Sequence, residues 1–237
     1  MSIKLPLEKR ILFEDNHLIV VNKLPSEIVQ GDKTGDKPLS EALKRYLKEK
    51  YHKPGDVFLG VIHRLDRPVS GVVVFAKTGK ALSRMNELVK QRAMQKTYWA
   101  IVKNKPPEKE GKLVHYLMRN TIKNKSFVSK TSGPDRKEAV LSYKLLASGE
   151  RYHLLEVDLY TGRHHQIRAQ LAAIGCPVKG DLKYGFPRSN PDASISLHAR
   201  KVSFVHPVKK ETLAITAEPP DDTLWDYFLK QMDAGEK

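Results

Sequence analysis

An aspartate stands between two arginines in Val61-Ile62-His63-Arg64-Leu65-Asp66-Arg67-Pro68-Val69-Ser70-Gly71. Apolar residues precede it (Val57, Phe58, Leu59, Val61, Ile62) and follow it (Val72, Val73, Val74, Phe75). That pattern predicts a loop pinned between two buried strands, at 57–62 and 71–77, a good place to hold a reacting carboxylate rigidly. The plainer reading is a surface salt bridge at a turn, and residue types alone favour it, since such pairs are common and contribute little.

Two further segments bear on the choice. Gln95-Lys96-Thr97-Tyr98-Trp99-Ala100-Ile101-Val102 reads as a strand that delivers Tyr98 after a basic helix. Tyrosines in such strands are usually core residues with a hydroxyl at the rim. Thr161-Gly162-Arg163-His164-His165-Gln166-Ile167-Arg168 reads as a strand end, a Gly turn and a helix starting near Gly162. Free N–H groups beside cations at a helix start suit phosphate or carboxylate. His164 and His165 do not read as a metal site, because neighbouring residues on a helix point apart and no further cluster completes coordination. Taken singly, each segment is explained without function. The gathering of cations at strand ends and helix starts is not.

The elements that must carry these residues follow from periodicity. Strands are expected at Ile11–Phe13 and Leu18–Asn22, then a helix over 39–50 after Pro38 with Leu39, Ala42, Leu43, Tyr46 and Leu47 on one face. Thr78 can cap a helix whose inner face is Leu82, Met85, Leu88 and Val89. Strands follow at 97–103, 112–118, 125–131, 138–147 and 151–159. Beyond the helix near Gly162, which presents Ile167, Leu171 and Ile174, come strands at 195–205 and 211–217. A closing helix is marked by Leu224, Phe228 and Met232. Many strands without strict alternation of helices predict an α+β fold on a mixed, largely antiparallel sheet. The Gly-x-Gly-x-x-Gly and Walker A strings are absent, and so is the zinc-deaminase pattern. His63-Arg64-Leu65-Asp66 matches the kinase His-Arg-Asp string only superficially. Nucleotide-cofactor chemistry is disfavoured.

The 237 residues carry a formal net charge of +15. Residues 77–137 hold 16 Lys/Arg against 4 Asp/Glu, or +12, whereas residues 211–237 hold seven acids against two lysines, or −5. A basic middle with an acidic tail points to a polyanion docking on one face, although a generally basic, soluble protein would look similar. The single cysteine, Cys176, excludes an internal disulfide and reads as a space-filler. No run is apolar enough to span a bilayer and no signal peptide opens the chain, so a cytoplasmic location is expected.

Five ordered segments resemble the boxes of the RluA-type pseudouridine synthases. His63–Gly71 is similar to His-Arg-Leu-Asp-x-x-Thr-Ser-Gly, and Lys96–Ala100 to Lys-x-Tyr-x-Ala. Thr161–Arg168 is similar to Thr-Gly-Arg-x-His-Gln-Ile-Arg, and Gly175–Gly185 to Gly-x-Pro-x-x-Gly-Asp-x-x-Tyr-Gly. Leu197-His198-Ala199 with Phe204-x-His206-Pro207 resembles the terminal strand. The likeness runs from about Ile11 to Pro207, so one catalytic domain over 1–237 is expected, with residues 208–237 forming a closing strand and helix.

The resemblance implies an isomerase that turns uridine into pseudouridine without a cofactor or metal. Asp66 is cast as the essential carboxylate, either a nucleophile on base or sugar or a base at C2′. Arg163 is implied as the guanidinium that favours its ionised form, with Arg168 a second candidate. Tyr98 is implied as the ring against which uracil stacks. A uridine in folded RNA must be extruded, and Arg64 is expected to fill its place. Lys96, His165, Gln166 and Arg168 join Arg64 as expected RNA contacts, and Arg67 has no assigned role. The expected partner is a stem-loop of rRNA or tRNA, bound by a monomer through the basic segments.

Two departures stand out. Val69 replaces the threonine of the first box and is read as local packing. Lys23-Leu24-Pro25-Ser26-Glu27-Ile28-Val29-Gln30 is looser than the usual Lys-Pro-x-Gly-x-x-Val-His strand. The RNA-binding S4 module of many relatives is not expected here, because the catalytic strands begin near residue 11. The alternatives are an RNA-binding or RNA-folding protein without turnover, and a metal-dependent nuclease, which would need an acidic cluster that is not found.

Overall fold

Ser70–Ala76 is buried at all seven positions, as a strand covered on both faces requires. It is the fourth strand of a computed structural model that describes residues 5–32 and 34–235. In chain order the elements are β1 (Ile11–Glu14), β2 (Leu18–Lys23), α1 (Leu39–Lys50), β3 (Gly60–Val61), β4 (Ser70–Ala76), α2 (Gly79–Lys90), β5 (Gln95–Val102) and β6 (Glu110–Asn120). There follow β7 (Lys125–Ser129), β8 (Lys137–Ser148), β9 (His153–Leu159), α3 (Gln166–Ala173), β10 (Leu197–Val205), β11 (Thr212–Thr216) and α4 (Thr223–Gly235). The chain, read from its sequence as one domain, divides into two compact units. Unit 1 runs to Met94 and includes Lys201–Glu218; unit 2 is Gln95–Arg200 with the residues from Pro219 onward.

In unit 1, β2 pairs antiparallel with β1 and with β4, in a register that sets Val20 opposite Val74 and Lys23 opposite Gly71. Strand β11 pairs antiparallel with β10 from Lys201 opposite Thr216 to Val205 opposite Thr212. Alternate residues of one face (Leu18, Val20, Val72, Val74) form a core with Ala81 and Met85 of α2 and with Phe204 and Ile215, as a period of two dictates. Thr78 caps α2 as expected, its hydroxyl accepting from the Ala81 N–H at 3.2 Å. Of the expected inner face, Met85 is fully buried, and Leu82, Leu88 and Val89 are partly buried around it.

The strand expected at 57–62 shrinks to the two residues of β3, opposite Ala76 and Phe75. Val57, Leu59 and Ile62 are nonetheless buried. An apolar run reports burial, whereas a strand also needs a neighbour to pair with, and only Gly60 and Val61 have one.

In unit 2 the order is β5-β9-β8-β6-β7, each pair antiparallel. Leu117 and Ala139 pack against Ala169 of α3 and Tyr184. Trp99, Ile101 and Leu154 pack against Trp225 and Phe228 of α4. The closing helix is where periodicity put it, and Trp225 adds to its expected inner face. The α+β architecture with antiparallel pairing agrees with the reading of the sequence. Among the described residues, no helix is long and apolar enough to cross a membrane.

Candidate active site

The Asp66 loop leaves β3 at Val61 and enters β4 at Ser70. Two apolar anchors hold it: Leu65 and Val69 are buried, Arg64 is exposed, and Asp66 is half-buried between the anchors. The Asp66 carbonyl accepts from the Val69 N–H at 3.1 Å, closing a turn over Arg67 and Pro68 in which the proline ring fixes one φ. Val69 is 2% exposed, so the residue that replaces threonine serves as an apolar plug. On entering β4, Gly71 takes φ +114° opposite Lys23, a backbone region open to glycine and strained for other residues. His63 reaches over β4, where its Nε2 accepts from the Val74 N–H at 3.1 Å. That bond requires an unprotonated Nε2, so the neutral ring carries its proton on Nδ1.

Lys23 is the residue that sequence reasoning missed. It ends β2 with no exposed surface, and its Nζ donates to the carbonyls of Leu24 at 2.9 Å, Glu27 at 2.9 Å and Arg67 at 3.1 Å. An ammonium has three hydrogens, and each finds an acceptor. Burial pushes its pKa down to about 7, while the negative charges of Glu27 and Asp66 act in the opposite direction. Glu27 is itself held by Arg10, at 2.7 and 3.0 Å, and by the Leu24 N–H at 3.0 Å. The Arg67 carbonyl also accepts from the Ser26 N–H at 2.9 Å. The looser Lys23–Gln30 segment is therefore the floor on which the Asp66 loop rests. Its signals in the sequence were a lysine at the end of an apolar strand and the place of that lysine at the head of the segment set beside Lys-Pro-x-Gly-x-x-Val-His.

Arg67 acquires a role as well. Its guanidinium donates to Asp36 at 2.7 Å and to the Thr34 hydroxyl at 2.8 Å. It ties the turn to the loop around Thr34 and points its charge there.

Unit 2 carries the other expected residues. Tyr98 is 7% exposed and lies opposite Val157, which in turn lies opposite Tyr143. Lys96, two residues earlier, is half-buried, and burial pushes its ammonium below the ordinary lysine pKa.

Helix α3 begins at Gln166, four residues later than expected. The cause is Gln166 itself. Its Oε1 accepts from the Arg163 N–H at 3.0 Å and the Thr161 hydroxyl at 2.8 Å, and its Nε2 donates to the Val140 carbonyl at 3.1 Å. His165 takes φ +52°, which a right-handed helix cannot include. Because His164 and His165 precede the helix, their rings do not point apart. They stack with centroids 3.8 Å apart. The His164 Nδ1 lies 3.0 Å from the Ser126 hydroxyl, and the His165 Nδ1 lies 3.1 Å from the Tyr184 hydroxyl.

Arg163 is half-buried, and its Nε donates to the Glu138 carbonyl at 2.9 Å. Gln166 and Arg168, expected at the RNA face, are instead turned inward, 3% and 5% exposed. Arg168 makes a two-pronged ion pair with Asp181, 2.6 Å from Nε and 2.9 Å from Nη2. Its guanidinium carbon also sits 5.2 Å from the centre of the Tyr184 ring. Asp181 and Tyr184 come from the Gly175–Gly185 segment, so that box supports the Thr161–Arg168 box from behind.

The arrangement in unit 1 can do one thing well: present a carboxylate on a turn whose backbone is anchored at Asp66, Arg67 and Val69. Residues 17–173 match the family model described as RNA pseudouridylate synthase. The chain is 32% identical over 229 residues to ribosomal large subunit pseudouridine synthase D of Zymomonas mobilis, covering 92% of this chain and 71% of that protein. It is 31% identical over 243 residues to tRNA pseudouridine synthase C of Vibrio parahaemolyticus, covering 95% of this chain and 96% of that one. A solved human structure, RNA pseudouridylate synthase domain containing 4, shares the fold with a TM-score of 0.79 at 24% identity, over 96% of this chain and 94% of the other. Relatives named as synthases leave the binding-only alternative without support. The matched region contains the Asp66 loop, Tyr98 and the Thr161–Arg168 turn, and the chain belongs to the RluA-type family of RNA pseudouridine synthases.

Proposed function

We propose that this RNA pseudouridine synthase isomerises uridine in a structured stem-loop of rRNA or tRNA, with Asp66 as the reacting carboxylate. The observation that carries the reading is the grip on the Asp66 turn: Lys23 and Ser26 hold the Arg67 carbonyl, and the Val69 N–H holds that of Asp66. A fixed carboxylate loses little entropy on reaching its target atom. In the reaction the C1′–N1 bond breaks, the uracil turns, C1′ joins C5, and the C5 proton is exchanged for one on N1. Asp66 assists either by attacking or by taking a proton at C2′. The likeness to the family assigns Tyr98 to the uracil ring and Arg163 to the charge of the carboxylate.

The experiment is to map pseudouridines in rRNA and tRNA from a strain lacking the gene, its parent, and the strain complemented with the gene. At least one pseudouridine in one of these RNAs is expected to vanish and return. Identical maps in all three would overturn the substrate assignment.

Arg64, exposed beside buried Leu65, is proposed to occupy the gap left by the extruded base. Extrusion from a stacked helix costs a few kcal/mol. Arg64→Ala is therefore expected to lower the single-turnover rate on a folded stem-loop by roughly tenfold or more. On a short unstructured oligonucleotide with the same uridine, it should have little effect. Equal losses on both RNAs would sink this role.

A further inference from the structure

In unit 2, Lys96 lies on the same face of β5 as Tyr98, because residues two apart in a strand project to the same side. The odd-numbered residues take the other side: Trp99 and Ile101 pack against α4, and the Thr97 hydroxyl donates to Asp158 at 2.7 Å. The Lys96 side is the one that α3 covers. Tyr98 lies opposite Val157 and Val157 opposite Tyr143, and along β8 the same side leads to Ala139, which packs against Ala169 of α3. Register also fixes the end of the sheet. Thr97 lies opposite Asp158, so Lys96 sits where β9 runs out into the turn that carries Arg163. At that end the Arg163 Nε donates to the Glu138 carbonyl of β8 at 2.9 Å. One end of one sheet thus gathers Lys96, Tyr98 and Arg163.

Lys96 has no counter-charge in this place. Burial alone depresses its pKa, and no carboxylate acts against it, whereas Glu27 and Asp66 do so at Lys23. Among the described residues, no carbonyl or carboxylate accepts from the Lys96 ammonium; that of Lys23 has three carbonyls. An unpaired charge held partly out of water is costly, so the fold favours the neutral amine. A lysine in that state is a proton acceptor. The alternative duty, a cation for an RNA phosphate, needs the charged form that this environment opposes.

We propose that Lys96 is a further catalytic residue, whose amine takes the C5 proton of the uracil stacked on Tyr98. The inference rests on the reading of the protein as a synthase that holds uracil against that ring. Two residues along a strand lie roughly 7 Å apart, a span that the four-carbon stem of lysine covers. The reaction has a place for such a base. Once the C1′–N1 bond has broken and C1′ has joined C5, C5 carries both C1′ and its hydrogen beside the C4 carbonyl, and N1 and C6 share a double bond. As the Lys96 amine takes that hydrogen as a proton, the C5–H electron pair becomes the C5–C6 double bond. The N1–C6 π pair returns to N1, which takes a proton from solvent. The Lys96 ammonium then gives its proton to solvent, and nothing is oxidised or reduced.

The test uses the full chain and a transcript carrying the uridine that the strain comparison identifies, made with either hydrogen or deuterium at C5. Lys96→Arg keeps a cation of similar length but offers no amine, since a guanidinium does not deprotonate in proteins. It is expected to lower the single-turnover rate at saturating RNA roughly a hundredfold or more, with RNA affinity and its salt dependence unchanged. Deuterium should slow Lys96→Arg by a larger factor than it slows the wild type, because proton removal then limits the rate. Tyr98→Phe, which keeps the stacking ring, should show no such increase. Lys96→Met checks the fold: it removes an unpaired charge, so it should unfold at a midpoint no lower than that of the wild type and share the kinetic loss. Activity of Lys96→Arg within tenfold of wild type would overturn the assignment in favour of a phosphate-binding cation. A loss without the enlarged isotope effect would place Lys96 outside the proton step, and an enlarged effect in Tyr98→Phe alone would give that step to the phenol; either result overturns it. A wild type that converts no uridine in any rRNA or tRNA counts against the enzymatic reading, whereas an active wild type beside an equally active Lys96→Arg counts against Lys96 alone.

Discussion

Asp66→Asn is expected to bind RNA as the wild type does and to lose pseudouridine formation by at least about a thousandfold, the scale on which removing a nucleophile or general base acts. Asparagine preserves the size and most of the hydrogen-bonding capacity of the side chain while removing its charge and its nucleophilic oxygen. The turn should survive, because it is closed by backbone atoms: the Asp66 carbonyl to the Val69 N–H, and the Arg67 carbonyl to Lys23 and Ser26. The anchors Leu65 and Val69 are untouched. Release of the hydrogen from C5 of uridine reports the reaction directly, and a filter or fluorescence assay reports binding. Activity within tenfold of wild type would dismiss Asp66 as the reacting group. Loss of RNA binding together with activity would mean that the loop had collapsed, a result that unfolding midpoints would reveal independently.

Arg168→Ala is expected to destabilise the protein by about 3–5 kcal/mol, because it leaves a buried carboxylate without its counter-charge. Asp181 is 1% exposed and receives both prongs of the Arg168 guanidinium. Water cannot replace the lost partner. The double replacement Arg168→Met with Asp181→Leu removes both charges, and it should be less destabilised than the sum of the single changes. Chemical denaturation of the four proteins measures the coupling. The same set separates two roles for Arg168. A contact with RNA would appear in Arg168→Ala as weaker, less salt-dependent binding at nearly normal stability, whereas the buried pair predicts the reverse.

Much of the scaffold was legible because it depends on local periodicity. The α1 and α2 helices, the cap at Thr78, the β1–β2 pair and strands β5 to β9 follow from spacing that a helix or strand imposes on its neighbours in sequence. The errors arose where a distant partner decides. The apolar run before Asp66 looks like a strand, but most of it finds burial without a ladder. The α3 start slipped from Gly162 to Gln166 because one glutamine side chain captures Thr161, Arg163 and Val140, a set of bonds that no periodicity encodes.

The candidate site divides in the same way. The sequence by itself determined that a carboxylate at 66 sits in an ordered set of segments with Tyr98 and Arg163. It also determined that the middle of the chain is strongly basic, and it placed the chain in its family. Only the tertiary structure decided which charges face solvent and which are spent inside. It put Lys23 under the Asp66 turn, gave Arg67 to Asp36 and Thr34, and buried Arg168 against Asp181. The physical reason is that charge is a property of the residue, whereas burial and pairing belong to its neighbours. A lysine or arginine reads as a surface group until the fold supplies the carbonyls or the carboxylate that make its burial tolerable.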